Sequence, residues 1–280
     1  PSAYRRAGGR LMLIGEDLRG GLRRRLYAPS NPAGLAYAIG VAILLVVINQ
    51  VLQIALSSVV LNAMFEEAST RNAVKAALLV IFPTALLTAL AALLLARGRG
   101  GTVGEVLSLR WPRFGLLGWP YFVLVFLIVM YFAVAMVVLL LGIDMADYTP
   151  GPQGQSPESG SAGLVKEAMF DIANTPWLFA LVIPSVALGA PIWEELVFRG
   201  QLFAALSKTR IGVAGTTVVT AALWSLMHLT ESWLAIGIIF MLGLAFGWMM
   251  YRFGSIWVPM ICHGVWNSVY ALAVFGQVSA

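Results

Sequence analysis

Residues 176–206 read PWLFALVIPSVALGAPIWEELVFRGQLFAAL, an apolar run that carries Glu194, Glu195 and Arg199 at its centre. A membrane-crossing helix needs about 20 apolar residues, so this stretch is long enough to span. Ionisable groups at bilayer depth are costly and face a bundle interior or a wet cavity, where they do chemistry. Glu195 and Arg199 are four residues apart and share a helix face, acid first, so the arginine can hold that carboxylate ionised. Glu194 is rotated by about 100° and is left free to face something else. Pro184 and Pro191 are expected to bend or break the helix just before the carboxylates. Irregular backbone at that depth is tolerated only where protein or a cavity covers it. A purely structural Glu/Arg clamp between helices is the other reading of the pair.

Working outward, six further apolar runs accompany this one. Spans are predicted at 35–61, 75–96, 115–141, 176–200, 212–230, 234–251 and 255–275. The expected fold is therefore all-α, a multi-span membrane bundle of about seven transmembrane helices around a buried polar cavity. Composition agrees: the chain is 60% hydrophobic and 11% charged, with a mean hydropathy of +0.85. That profile excludes an ordinary soluble domain. The runs are continuous rather than alternating in polarity, which excludes a membrane β-barrel. With one cysteine, Cys262, there is neither an intramolecular disulfide framework nor a multi-cysteine metal site. Cys262 adjoins His263, but neighbouring residues point apart on a helix, so it reads as a packed thiol.

The organisation falls into four parts: a basic N-terminal segment (1–33), three N-terminal spans (34–141), a long connection (142–175) and a C-terminal core (176–280). Seven arginines and a helical stripe of Leu11, Ile14, Leu18, Leu22 and Leu26 mark the first part. It is expected to lie on the inner leaflet against anionic lipid, or to be a basic tail that only sets orientation. With the N-terminus cytoplasmic, 15 of the 18 lysines and arginines fall inside and three (Arg71, Lys75, Lys166) outside. An integral cell-membrane protein with its C-terminus external follows. The net charge of +5 speaks for this topology and for anionic lipid, not for nucleic acid. The 142–175 connection, rich in Gly, Pro and Ser at 149–161, reads as a flexible external loop: a plain connector, a lid, or a dock for a membrane-protein partner.

The chain's two histidines lie in the fifth and seventh runs, as Trp224-Ser-Leu-Met-His228 and His263-Gly-Val-Trp-Asn267. His263 and Asn267 are four apart and project on one helix face. Such donors can bind a developing oxyanion, one donor being worth about 3 kcal/mol. A free carboxylate in a low-dielectric pocket suits a general base. Counted from the inner helix ends, Glu194, His228 and His263 lie at depths of roughly 20, 24 and 12 Å. They coincide only if the fourth and fifth helices project into the cytoplasm.

In this order, Glu-Glu-x-x-x-Arg at 194–199, aromatic-x-x-x-His at 224–228 and His-x-x-x-Asn at 263–267 make the chain resemble the CAAX prenyl endopeptidase family and its bacteriocin-processing relatives. The resemblance covers roughly residues 176–270. Trp224 stands where that family usually has phenylalanine. The resemblance implies an intramembrane glutamic protease without a cofactor. In it, Glu194 and His228 activate water, His263 and Asn267 hold the oxyanion, and Glu195, Arg199 and Trp224 support them. The implied substrate is a membrane-associated peptide or protein. Three other readings stay open. Glu194, His228 and His263 could be three zinc ligands, though the His-Glu-x-x-His signature is missing. The same fold could serve a non-catalytic scaffold or peptide-binding partner. A proton-coupled transporter is the third, disfavoured by the lack of internal repeats.

Overall fold

Prolines and amides placed inside hydrophobic helices decide how this bundle assembles. A computed structural model describes residues 14–28, 34–97, 102–144 and 160–279, and every described element is helical. The elements are α1 (Glu16–Arg23), α2 (Leu35–Met64), α3 (Thr70–Ala96), α4 (Val103–Val106), α5 (Gly118–Leu141) and α6 (Gly160–Ala173), followed by α7 (Pro176–Leu206), α8 (Gly212–Leu226), α9 (Trp233–Phe253) and α10 (Trp257–Ser279). Five of them, α2, α3, α5, α7 and α9, have the length and hydropathy of a membrane span. Apolar α8, with 15 residues, is shorter, and the 23-residue α10 completes the core beside them.

α2 lies along α3 and α8 along α9, and α7 runs between these pairs. Near the middle of α3, Pro83 has no N–H to offer the carbonyl of Leu79. The Ser185 hydroxyl of α7 donates to that carbonyl instead, at 3.0 Å. On the α2 side, Asn49 donates to Thr88 Oγ1 (3.2 Å) and Gln53 donates to the Ala77 carbonyl (2.6 Å). Helices in lipid lack a strong hydrophobic drive to associate, so interhelical hydrogen bonds of this kind carry much of the specificity.

The fourth span departs from expectation. The prolines do not break α7. The helix continues through two π-helical stretches, Ser185–Gly189 and Leu196–Leu202, which flank the α-helical turn bearing the two glutamates. Such widened turns cluster at functional positions. In the first, the Ala190 N–H bonds Ser185 O, and Pro191 has no N–H, so the Val186 carbonyl loses its helical donor. Asn267 of α10 supplies one from its side-chain amide (2.9 Å).

Three other expectations are corrected. The fifth helix ends at Leu226, not at 230, and residues 227–230 form turns, so His228 stands just past the helix end. The 142–175 connection contains the helix α6, which packs on α3 and α10 through buried Met169 and Ile172; residues 145–159, with most of its Gly/Pro/Ser stretch, lie outside the described residues. The N-terminal stripe is divided. Leu18 is completely buried in the bundle and Leu22 is half exposed, because the backbone of α1 is gripped by protein: Arg252 donates to the carbonyls of Gly21 and Leu22, both at 2.6 Å. Arg110 and the Arg113 N–H both hold Asp17. Leu11 of the stripe falls outside the described residues.

Candidate active site

Four helices converge on the glutamate pair. Glu194 and Glu195 project from the α-helical turn between the two π-helical stretches of α7, and both are buried. Glu195 and Arg199 form the i,i+4 pair read from the sequence, at 3.2 Å, with both side chains fully out of solvent. The guanidinium also faces the ring of Trp224 (4.8 Å) and that of Phe246 (5.3 Å), and donates to the Gly243 carbonyl of α9 at 3.4 Å. A buried cation held by a carboxylate, two π faces and a carbonyl is a rigid brace.

Glu194 points the other way. Its Oε2 accepts the Trp224 indole N–H at 2.6 Å, a charge-assisted bond that fixes the carboxylate. His263 joins the two glutamates: Nδ1 lies 3.1 Å from Glu195 Oε1, and Nε2 lies 3.9 Å from Glu194 Oε2. An acceptor at Nδ1 places the proton there and turns Nε2 toward Glu194. The imidazole is clamped in that orientation, stacked on Phe246 (5.3 Å between centroids) and edge-on to Trp224 (5.1 Å). α10 comes this close because of one glycine. A Cβ on Gly264, next to His263, would sit 2.5 Å from the Ala187 carbonyl of the first π-helical stretch.

His228 and Asn267 are connected less directly. The His228 ring stands edge-on to Trp224 at 5.7 Å, and its Nδ1 donates to the Trp224 carbonyl (2.9 Å), which leaves Nε2 with the lone pair. It is half-buried, in the turn after α8. Asn267 spends one amide hydrogen on Val186 O and keeps a second. Among the seven residues singled out in the sequence, Glu194, Glu195, Arg199, Trp224 and His263 are therefore in direct contact. His228 touches the set through Trp224, and Asn267 through the backbone of the first π-helical stretch.

Two features escaped the sequence reading. Phe246 is the stacking wall of the site, indistinguishable in sequence from any other core aromatic. The amides of α2 are the second. A small cavity of about 170 Å³ opens beside Glu194, lined by Asn49, Gln50, Gln53, Ile81, Ala190, Trp193 and Glu194. Three amides within five residues of an otherwise apolar span were the available signal. A larger groove of about 460 Å³ between α2, α7 and α8 has only apolar walls, among them Val47, Val197 and Leu223, and offers no group for chemistry.

Among the described residues no three His, Cys, Asp or Glu side chains form a group that could hold a metal ion. Residues 176–269 match the family model described as Rce1-like, type II CAAX prenyl endopeptidase. The match covers the three motifs quoted above and bears out the resemblance they carry. No curated protein and no solved structure matches the chain. With five span-length helices and this match, the chain is an integral membrane protein whose residues 176–269 are similar to the CAAX prenyl endopeptidase family.

Proposed function

We propose that this chain is an intramembrane endopeptidase in which Glu194 removes a proton from water to hydrolyse a membrane-associated peptide or protein. The observation that supports this most is the contrast between the two adjacent carboxylates. Glu195 is committed to Arg199 and His263, whereas Glu194 has one indole donor and lies on the wall of the cavity. Glu194, Glu195 and Arg199 together leave one negative charge, so a proton arriving on Glu194 brings the cluster to neutrality in a low-dielectric site.

His228 offers a lone pair at Nε2 and is the second group assigned to the water. Asn267, with its remaining amide hydrogen, and His263, once Nε2 carries a proton in addition to the Nδ1 proton that Glu195 holds, are assigned to the oxyanion that forms when water adds to the scissile carbonyl. As the intermediate collapses, the proton held by Glu194 passes to the leaving amine. Donors fixed before the reaction need no reorganisation as charge develops. Trp224 in place of phenylalanine adds a hydrogen bond to the proposed base that a phenyl ring cannot supply.

The test is Glu194→Gln, which keeps shape and volume but cannot accept the proton. Comparing protein termini in membranes holding wild type and Glu194→Gln should show cleavage products in the wild type only, with equal amounts of folded protein. Undiminished cleavage by Glu194→Gln on any substrate so identified sinks the mechanism. A folded wild type that generates no new termini favours a scaffold.

A further inference from the structure

Opposite Glu194, the small cavity has a polar wall for which the chemistry above has no use. Asn49, Gln50 and Gln53 sit near the middle of the 30-residue α2, the depth at which a span is driest. Their bonding differs. Gln53 is committed at both ends, donating to Ala77 O (2.6 Å) and accepting from Thr84 Oγ1 (3.0 Å). Asn49 is buried and gives one amide hydrogen to Thr88 Oγ1. Gln50 is exposed and has no hydrogen-bond partner among the described residues. Its exposed neighbours Val47, Val51 and Ile54 are what a lipid-facing surface requires. An unbonded amide among them is costly at that depth unless a polar partner reaches it.

We infer that Gln50, with Asn49 beside it, grips the main chain of the substrate next to the scissile bond, while Gln53 anchors this part of α2 to α3. This rests on the endopeptidase reading above. A primary amide presents one donor group and one acceptor, the complement of a peptide unit. The cavity wall carries no cation, and its one charge is the Glu194 carboxylate, so a free C-terminal carboxylate is a poor match. The ligand this wall fits is an internal peptide bond of an extended segment, since a helical one has its N–H and C=O groups already paired. Substrates of this protein therefore contain, or unwind to, an extended stretch at the level of Glu194.

Two measurements on the full chain in lipid nanodiscs decide this. The only native cysteine, Cys262, is fully buried, so a membrane-impermeant maleimide reports on an introduced thiol. Gln50→Cys should react at least about tenfold faster than Val51→Cys or Ile54→Cys, which face lipid. The second measurement uses a quenched-fluorescent peptide spanning the cleavage site found by terminus profiling, together with versions in which single amides are replaced by esters. Gln50→Leu should lower kcat/KM by about two- to tenfold, the range of one net hydrogen bond, through KM and without loss of thermal stability. The ester that weakens wild-type cleavage should then cost Gln50→Leu little. A purely structural Gln50 does not produce that coupling. A cysteine at 50 as inert as its neighbours, or an unchanged kcat/KM in Gln50→Leu while Glu194→Gln is dead, overturns the subsite and leaves the endopeptidase standing. Full turnover by Glu194→Gln removes the reading on which the subsite rests.

Discussion

At the scale of single residues, adjacent glutamates do different work because a helix turns them toward different surroundings. Glu195 has lost all contact with solvent and is balanced by Arg199 and His263. Replacing one member of a buried pair leaves the other charge uncompensated, at a cost of about 3–5 kcal/mol. Glu195→Gln is therefore expected to lower thermal stability and yield in detergent, in contrast to Glu194→Gln, which should fold normally. A differential scanning measurement on both variants checks this. Equal stability of the two would show that Arg199 does not depend on its carboxylate. Arg199 itself, packed between Trp224 and Phe246, ties α7 to α8 and α9, so the damage should spread beyond the site.

At the scale of elements, the centre of the bundle is held by backbone groups that prolines have freed. Pro83 strands the Leu79 carbonyl, and Ser185 answers it; Pro191 strands that of Val186, and Asn267 answers it. Each answer comes from a different helix, so a local defect becomes an interhelical bond that fixes register. Ser185→Ala is expected to cost about 1 kcal/mol in the native background. Pro83→Ala restores the missing N–H, so the same change should cost clearly less there. Urea or thermal denaturation of the four proteins in this double-mutant cycle gives the coupling, and simple additivity would mean that the hydroxyl does not serve the proline-freed carbonyl. α7 and α3 can meet at this level because a Cβ on Gly189 would lie 2.8 Å from Phe82 Cα, a space only glycine leaves open.

At the scale of the whole molecule, the N-terminal helix is part of the fold rather than an appendage. Burial raises the pKa of Asp17, but the Arg113 N–H and the Arg110 guanidinium outweigh it and hold the carboxyl below its ordinary 3.8. A lowered value means the contact is fully present above pH 3.8 and is lost as pH falls further through the folded-state value. Hydrogen-exchange protection in 16–23, measured relative to the intrinsic rate at each pH, should accordingly be high at pH 5 and fall below about pH 3.8, whereas protection in α9 should show no such step. Unaltered protection of α1 in acid would show that Arg252 alone secures it. With Arg199 set aside because it is buried within α7, 14 of the other 17 lysines and arginines fall on the inner side of the topology read from the sequence, which predicts a cytoplasmic N-terminus. An N-terminal tag should resist protease added to intact cells, and cleavage of that tag from outside would reverse the topology.

The sequence alone determined that the chain is a helical membrane protein, because hydrocarbon admits only backbones that satisfy their own hydrogen bonds and about 20 apolar residues in a row announce such a helix. It also singled out the candidate side chains for chemistry, since charged and imidazole groups inside apolar runs have few other reasons to be there. The pairing of Glu195 with Arg199 was legible because it is local, four residues along one helix. Contacts between distant helices were not. That His263 joins the two glutamates, that Trp224 donates to Glu194, and that Asn49, Gln50 and Gln53 face the same cavity depend on how helices far apart in sequence are rotated and shifted against one another. The early end of α8 and the π-helical turns of α7 set those shifts, each moving side chains off the positions an ideal helix would give them. Ideal spacing therefore identified the candidates, and only tertiary packing decided which of them meet.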